Sequence, residues 1–540
     1  MDGLMMDYQL NVPAILRRAD ELFGDSEIVS RLPDKSWHRY SYADFVSRTK
    51  KLAVALRKLG LEDGDRVGTF MWNHYQHLEA YIGAPVGGFV THTLNLRLHP
   101  DDNVYIATHG GDRVLVVDKV LWPLAEQFVG RSSFEHVIAV GDGPVPDGAL
   151  DYEELLADAD ETAFAYHDVP ERSAAAMCYT SGTTGRPKGV LYSHRAIAIH
   201  ALTMIASIGG YADDVYLPVV PMFHANAWCF PFACTLNGVK QVFPGPHLDP
   251  ESLLDALAQE KVTVTAGVPT IWMGILQALD ANPDRWDLSS LRTMTVGGAA
   301  PPRAMIEALS ERHGLHVTHG WGMTEMSPVG TLSGAPGQEV GLSPQEAYDR
   351  RAMQGLPIPF VEIRAKGEDD LVPWDGKTMG ELEVRGPSIA SGYYESDERT
   401  DRWTDDGWFK TGDVVTIHPD GFVEVQDRAK DLVKSGGEWI STVALENALM
   451  GHPAVAEAAV IAVPDEKWSE RPLAVVVLKE GEEASPEELR DFLAPSFAKW
   501  WLPERFEFVD EIPKTAVGKF RKTALRERFA AGLVASDQSG

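Results

Sequence analysis

Thr180-Ser181-Gly182-Thr183-Thr184-Gly185-Arg186-Pro187-Lys188-Gly189 sets four hydroxyls, three glycines and a lysine in one short stretch. That set suits a polyphosphate, because glycines let backbone N–H groups approach an anion, hydroxyls donate and lysine adds charge. The spacing is not Gly-x-x-x-x-Gly-Lys-Ser/Thr, which excludes the P-loop of nucleoside triphosphatases. On residue types alone the stretch also reads as a surface loop. A second set, Gly320-Trp321-Gly322-Met323-Thr324-Glu325, holds an aromatic ring between glycines, where it can lie flat against a purine. Within it, Thr324 can bond a phosphate and Glu325 offers the carboxylate oxygen that Mg²⁺ prefers; alone, the run also reads as a turn. In Asp427-Arg428-Ala429-Lys430-Asp431-Leu432-Val433-Lys434-Ser435-Gly436-Gly437-Glu438-Trp439-Ile440-Ser441, mixed charge suggests a solvated face. The paired glycines, however, mark a close backbone approach. Pro221 to Phe232, with His224 and Trp228, is rich in bulky apolar side chains and reads as a buried core helix.

The elements that must position these sets alternate. A helix is expected over Asp44 to Leu59, where Phe45, Leu52, Ala53 and Leu56 recur at helical spacing before Gly60. Strand-like runs at 65–70, 114–118, 174–179, 262–266, 293–296 and 317–320 are interleaved with helical ones. That alternation predicts largely parallel sheets covered by helices, with ligands beyond the carboxyl ends of the strands. From about Leu356, segments such as Glu381-Leu382-Glu383-Val384-Arg385 alternate apolar and charged, as antiparallel strands with one wet face do. After Asp427-Arg428 a compact α+β unit is expected, ending in a frayed tail from Ala530. The 540 residues need two or more domains, and the net charge of −30, from 49 basic and 79 acidic side chains, argues against nucleic acid and anionic membranes as partners. Three cysteines without Cys-x-x-Cys spacing argue against disulfides and a zinc site and fit a reducing compartment. The first residues carry no secretory pattern, and the most apolar stretch, Val215 to Leu236, holds three prolines and is a poor membrane span. A cytoplasmic protein without an integral membrane segment is therefore expected.

Taken in order, the motifs closely resemble those of the adenylate-forming enzymes: acyl-CoA synthetases, adenylation domains and beetle luciferase. Tyr179 to Gly189 matches that family's signature. Gly320 to Glu325 matches its Tyr-Gly-x-Thr-Glu motif, with Trp321 at the usual tyrosine. Gly297-Gly298-Ala299-Ala300-Pro301 resembles the adenine-pocket turn, and Gly407-Trp408-Phe409-Lys410-Thr411-Gly412-Asp413, Asp427 to Ser441 and Pro513-Lys514-Thr515-Ala516-Val517-Gly518-Lys519 complete the series. The resemblance spans about Leu52 to Arg526. It implies a large domain, 1–426, of stacked α/β sheets with a small β-barrel-like part, a hinge at Asp427, a small mobile α+β domain, 428–530, and a tail, 531–540. It implies ATP, Mg²⁺ and coenzyme A as cofactors. Thr180, Ser181, Gly182, Thr183, Thr184 and Lys188 would hold phosphates. Gly298, Ala299, Ala300, Gly320, Trp321, Gly322, Met323 and Thr324 would hold the base and neighbouring atoms, and Asp413 and Arg428 the ribose. Thr180 and Glu325 would bind the metal. Lys434, Gly436, Gly437, Glu438 and Trp439 would meet coenzyme A, and Lys519 would be catalytic. A lysine at its ordinary pKa of roughly 10.4 stays charged at neutral pH. It therefore serves as a clamp on two anions and not as a base.

His224, Trp228, Gly297 and Gly298 fall where the family binds the acid. The Pro221–Phe232 segment is similar to one in soluble bacterial long-chain fatty acyl-CoA synthetases, where a tryptophan at this place gates the fatty-acid tunnel; related enzymes use it for short thioether acids. His92 to Leu98 (with Leu96 where proline is usual), Trp439 and Phe497 to Trp500 share the likeness, which favours a medium- or long-chain fatty acid and implies a homodimer through the large domain. The alternatives are a CoA ligase for a short, thioether, aromatic or steroid side-chain acid, an adenylating enzyme with another acceptor, and a non-catalytic nucleotide-binding protein. No extra segment stands between Gly386 and Asp427, which favours coenzyme A as acceptor, and the intact motifs argue against the non-catalytic reading.

Overall fold

The computed structural model describes residues 1, 3–166, 168–180, 186–396, 399–435, 438–465, 467–514 and 520–536; for 399, 400, 438 and 530–536 it describes the backbone alone. Two large sheets build most of the chain. One has seven strands in the order Leu150–Asp151, His136–Val140, Asp112–Asp118, Arg66–Phe70, Val90–Thr93, Ala174–Tyr179, Gly189–Ser193. All its pairings are parallel except the last, which is a hairpin. The other has nine strands, and its central pairings, from Val317–Gly322 across to Glu27–Arg31, are parallel. Strands buried on both faces tend to be apolar throughout, as Val114 to Val117 is; Thr293 to Gly297 likewise buries every residue, two of them threonines.

The helices read from periodicity form with their caps in place. Tyr42–Lys58 starts at a capping box, Ser41 with Asp44, and turns Phe45, Val46, Leu52 and Leu56 inward. One apolar core joins residues of both large sheets with Ile15 and Leu16, Phe45, Tyr81, Ile197 and Phe232 of the helices between them. A fully buried phenylalanine or leucine contributes about 1.5–3 kcal/mol.

The expected barrel-like part is an open, four-stranded antiparallel sheet, Glu362–Lys366, Gly380–Arg385, Phe409–Ile417 and Val423–Arg428. Four strands are too few to close around a packed interior. The chain then enters a five-stranded sheet with its own apolar clusters, one on each face. The closing helix, Lys522–Ser536, runs past Ala530, where the sequence suggests fraying; alanine is the strongest helix former. No helix among the described residues is long and apolar enough to cross a membrane.

Candidate active site

The phosphate-type loop joins two antiparallel strands. Its neck is closed by the Thr180 N–H donating to the Lys188 carbonyl (2.9 Å) and the Lys188 N–H donating to Thr180 Oγ1 (3.1 Å). Ser181, Gly182, Thr183 and Thr184 lie outside the described residues. In the other large sheet Gly297 pairs with Gly320 in parallel register, so the Gly297–Ala300 turn and the Gly320–Glu325 run leave the same end of the sheet. Gly298 takes φ +82°, a left-handed conformation that glycine adopts freely, and is exposed there with Ala299. A Cβ on Gly297 would lie 2.7 Å from the Trp228 ring and 2.8 Å from the Gly320 carbonyl oxygen. Gly322 is small for a reason the sequence does not reveal: a Cβ there would collide with the Pro328 carbonyl.

Trp321 ties this run to the four-stranded sheet. Its indole N–H donates to Asp413 Oδ2 at 3.0 Å, and Arg428 Nε meets the other oxygen, Oδ1, at 2.8 Å. Asp413 is only 3% exposed. The predicted metal carboxylate, Glu325, is 4% exposed and accepts from the Tyr393 hydroxyl at 2.6 Å. Lys188 Nζ stands over the Tyr393 ring, 5.0 Å from its centre. Burial, with Glu325 alongside, pushes the Tyr393 phenol up, so it stays protonated and donates. The Tyr394 N–H donates to the Gly189 carbonyl (2.8 Å), the Ala390 N–H to the Glu325 carbonyl (2.8 Å), and the Tyr192 hydroxyl to the Thr324 carbonyl (2.6 Å). Residues 390–394 thus strap the lysine end of the loop to Glu325. The sequence reading missed Tyr393 and Tyr192; the only local signal for the strap is a tyrosine pair after Gly392. One carboxylate and one threonine hydroxyl suit Mg²⁺, which keeps several waters and binds phosphate oxygens besides.

Residues 16–394 match the family model described as AMP-binding enzyme, and residues 444–519 match that of the AMP-binding enzyme C-terminal domain. The chain belongs to the AMP-binding enzyme family. It is 49% identical to a long-chain-fatty-acid–CoA ligase of Thermus thermophilus over 97% of this chain and 96% of that one. It is 42% identical to a 3-methylmercaptopropionyl-CoA ligase of Ruegeria lacuscaerulensis over 99% and 100%. Among solved structures, an anthranilate CoA ligase in complex with anthranoyl-AMP superposes with a TM-score of 0.87 at 25% identity, covering 99% of this chain and 100% of that one.

In the Pro221–Phe232 segment of this AMP-binding enzyme, the expected core helix is only partly helical. Ala225, Asn226, Ala227, Trp228 and Cys229 all take left-handed φ, from 43° to 65°, and the right-handed helix begins at Phe230. Left-handed backbone costs a non-glycine residue roughly 1–2 kcal/mol, so surrounding contacts must hold it. The turn carries Trp228, 7% exposed, to Gly297, the small residue that leaves room for its ring. His224 precedes the turn.

At the predicted hinge, Asp427 is 1% exposed. Its carboxylate accepts from the Arg428 N–H (2.7 Å), the Thr442 N–H (2.8 Å) and the Thr442 hydroxyl, at the start of the Thr442–Met450 helix. Lys522 Nζ bonds Thr442 Oγ1 (2.5 Å) and pairs with Glu446 at 2.7 Å. Burial raises the pKa of Asp427 and takes that of Glu446 to about 7. Burial opposes the Lys522 charge, but Glu446 and Asp427 outweigh it and raise its pKa. Lys434 and Trp439 face each other across two short antiparallel strands, Val433–Ser435 and Glu438–Ile440. Gly436, Gly437, Lys519 and the Glu438 side chain lie outside the described residues.

Proposed function

We propose that this chain is an AMP-forming acid–thiol ligase whose carboxylic acid is a medium- or long-chain fatty acid. In the first step a carboxylate oxygen attacks the α-phosphorus of ATP, the bond from that phosphorus to the bridging oxygen breaks, and pyrophosphate leaves. In the second, the coenzyme A thiolate attacks the acyl carbon and AMP leaves. Adenylation is what makes the thioester accessible, because a free carboxylate has too poor a leaving group.

The observation that carries the reading is the continuity of the contacts. Trp321 holds Asp413, Tyr393 holds Glu325 and lies beneath Lys188, and Lys188 closes the loop begun by Thr180. Base, ribose, metal and phosphate groups would thus lie in sequence along one nucleotide. Thr180 and Glu325 would hold Mg²⁺, which would supply charge to the departing phosphates. Lys519 would bridge the attacking carboxylate and the α-phosphate. We assign the ribose to Asp413 and Arg428, and coenzyme A to the face carrying Lys434, Gly436, Gly437, Glu438 and Trp439, presented by rotation at Asp427. Trp228 and Phe230, buried in one apolar cluster, with relatives that act on fatty and thioether acids, support the acyl assignment. The sparse cysteines support a cytoplasmic setting, and we carry over the homodimer of the resembling synthetases.

The test is release of pyrophosphate and AMP with ATP, Mg²⁺ and acids from acetate to palmitate plus benzoate, each with and without coenzyme A. Turnover that needs coenzyme A and is greatest at eight carbons or more is expected. Turnover on short or aromatic acids alone overturns the substrate, and pyrophosphate release indifferent to coenzyme A overturns the acceptor.

A further inference from the structure

The geometry points to Trp321 as a positioning residue for ribose recognition, acting through Asp413 by a hydrogen bond from its indole N–H, and not only as a flat surface for the base. The inference rests on the assignment of Asp413 to the ribose. A carboxylate that binds two neighbouring hydroxyls must present both oxygens in a fixed plane. Asp413 gains that plane from one donor on each oxygen: Arg428 Nε at 2.8 Å on Oδ1 and Trp321 Nε1 at 3.0 Å on Oδ2. Each oxygen keeps a further acceptor site, since an ionised carboxylate has about four. Two donors from the protein and two ribose hydroxyls therefore fill the group without competing.

The indole itself is held in place. A Cβ on Gly330 would collide with Met326 Cε and come within 2.9 Å of Trp321 Cζ3, so that glycine leaves room for both the methionine and the six-membered ring. Phenylalanine has no edge donor, and the hydroxyl of tyrosine projects from the far end of its ring, away from where the indole N–H sits. Trp321 thus adds a contact to the ribose carboxylate that the usual tyrosine of the motif lacks at that point.

The test compares KM for ATP, 2′-deoxy-ATP and 3′-deoxy-ATP in the pyrophosphate-release assay, for the parent, Trp321→Phe and Asp413→Asn. A second form replaces Trp321 by benzothienylalanine, which puts sulfur in place of the N–H and keeps the size and face of the ring; it stands in should the phenylalanine variant not fold. The parent is expected to favour ATP over both deoxy analogues, and Asp413→Asn to lose that preference. Trp321→Phe and the benzothienylalanine form are expected to raise KM for ATP by about tenfold, the loss of one hydrogen bond to a charged acceptor, with a smaller change in kcat. KM for the deoxy analogues should rise less, so the preference shrinks. If folded variants weaken ATP and both analogues by the same factor, Trp321 only stacks and the inference fails. If the parent shows no preference, or Asp413→Asn keeps it, the assignment of Asp413 to the ribose fails instead.

Discussion

Removing one oxygen atom, the Tyr393 hydroxyl, tests the strap at its narrowest point. Tyr393→Phe leaves the ring beneath Lys188 and deletes the bond to Glu325. The variant is expected to need more Mg²⁺ for half-maximal pyrophosphate release and to lose about tenfold in kcat/KM for ATP, as suits one hydrogen bond to a carboxylate. A Mg²⁺ titration of parent and variant reads this directly, and an unchanged requirement removes Tyr393 from the metal site. Glu325 stands out in the sequence because Gly-x-Thr-Glu is a local pattern. Tyr393 does not, because its partner is 68 positions away and a tyrosine after a glycine fits any loop. Trp321 is visible as an aromatic ring, but its bond to Asp413 spans 92 positions and depends on two sheets meeting.

Helices and strands were easier to read than the irregular turn between them. Apolar periodicity and a glycine stop place the Asp44–Leu59 helix within two residues of its observed bounds, Tyr42–Lys58, because those signals act within a few positions. The left-handed turn at Ala225–Cys229 contains no glycine, and only Asn226 tolerates that conformation well, so packing around Trp228 decides it. The same limit applies to the Thr442–Met450 helix. Its apolar face is plain, but burial of Glu446 beside Lys522 follows from tertiary contact. That burial has a signed consequence. The folded pKa of Glu446, about 7, exceeds its ordinary 4.5, so the group's contribution to stability is full below pH 4.5 and is lost as pH rises through 7. Glu446→Gln is expected to flatten that part of the pH dependence, which urea unfolding of both proteins at pH 4.5 and 7.5 will measure; parallel slopes would contradict it.

Over the whole molecule, a net charge of −30 surrounds the site proposed for ATP and coenzyme A. Long-range repulsion slows the approach of ATP and coenzyme A when salt is low, and it fades as the screening length falls from about 30 Å at 0.01 M to about 8 Å at 0.15 M. The value of kcat/KM for coenzyme A is therefore expected to rise roughly threefold over that range. Stopped-flow traces at fixed pH provide the check, and a fall with salt would mean that a local basic patch controls entry. Burial also bears on what the proposed intermediate does to its maker. An acyl adenylate is a mixed anhydride that modifies any thiolate within reach. Cys178 lies two residues before Thr180 and Cys229 adjoins Trp228, yet these and Cys234 are all buried, and burial pushes each thiol pKa up. Held protonated and out of reach, they leave coenzyme A as the sulfur nucleophile, so mass spectrometry after turnover without coenzyme A should find these cysteines unacylated.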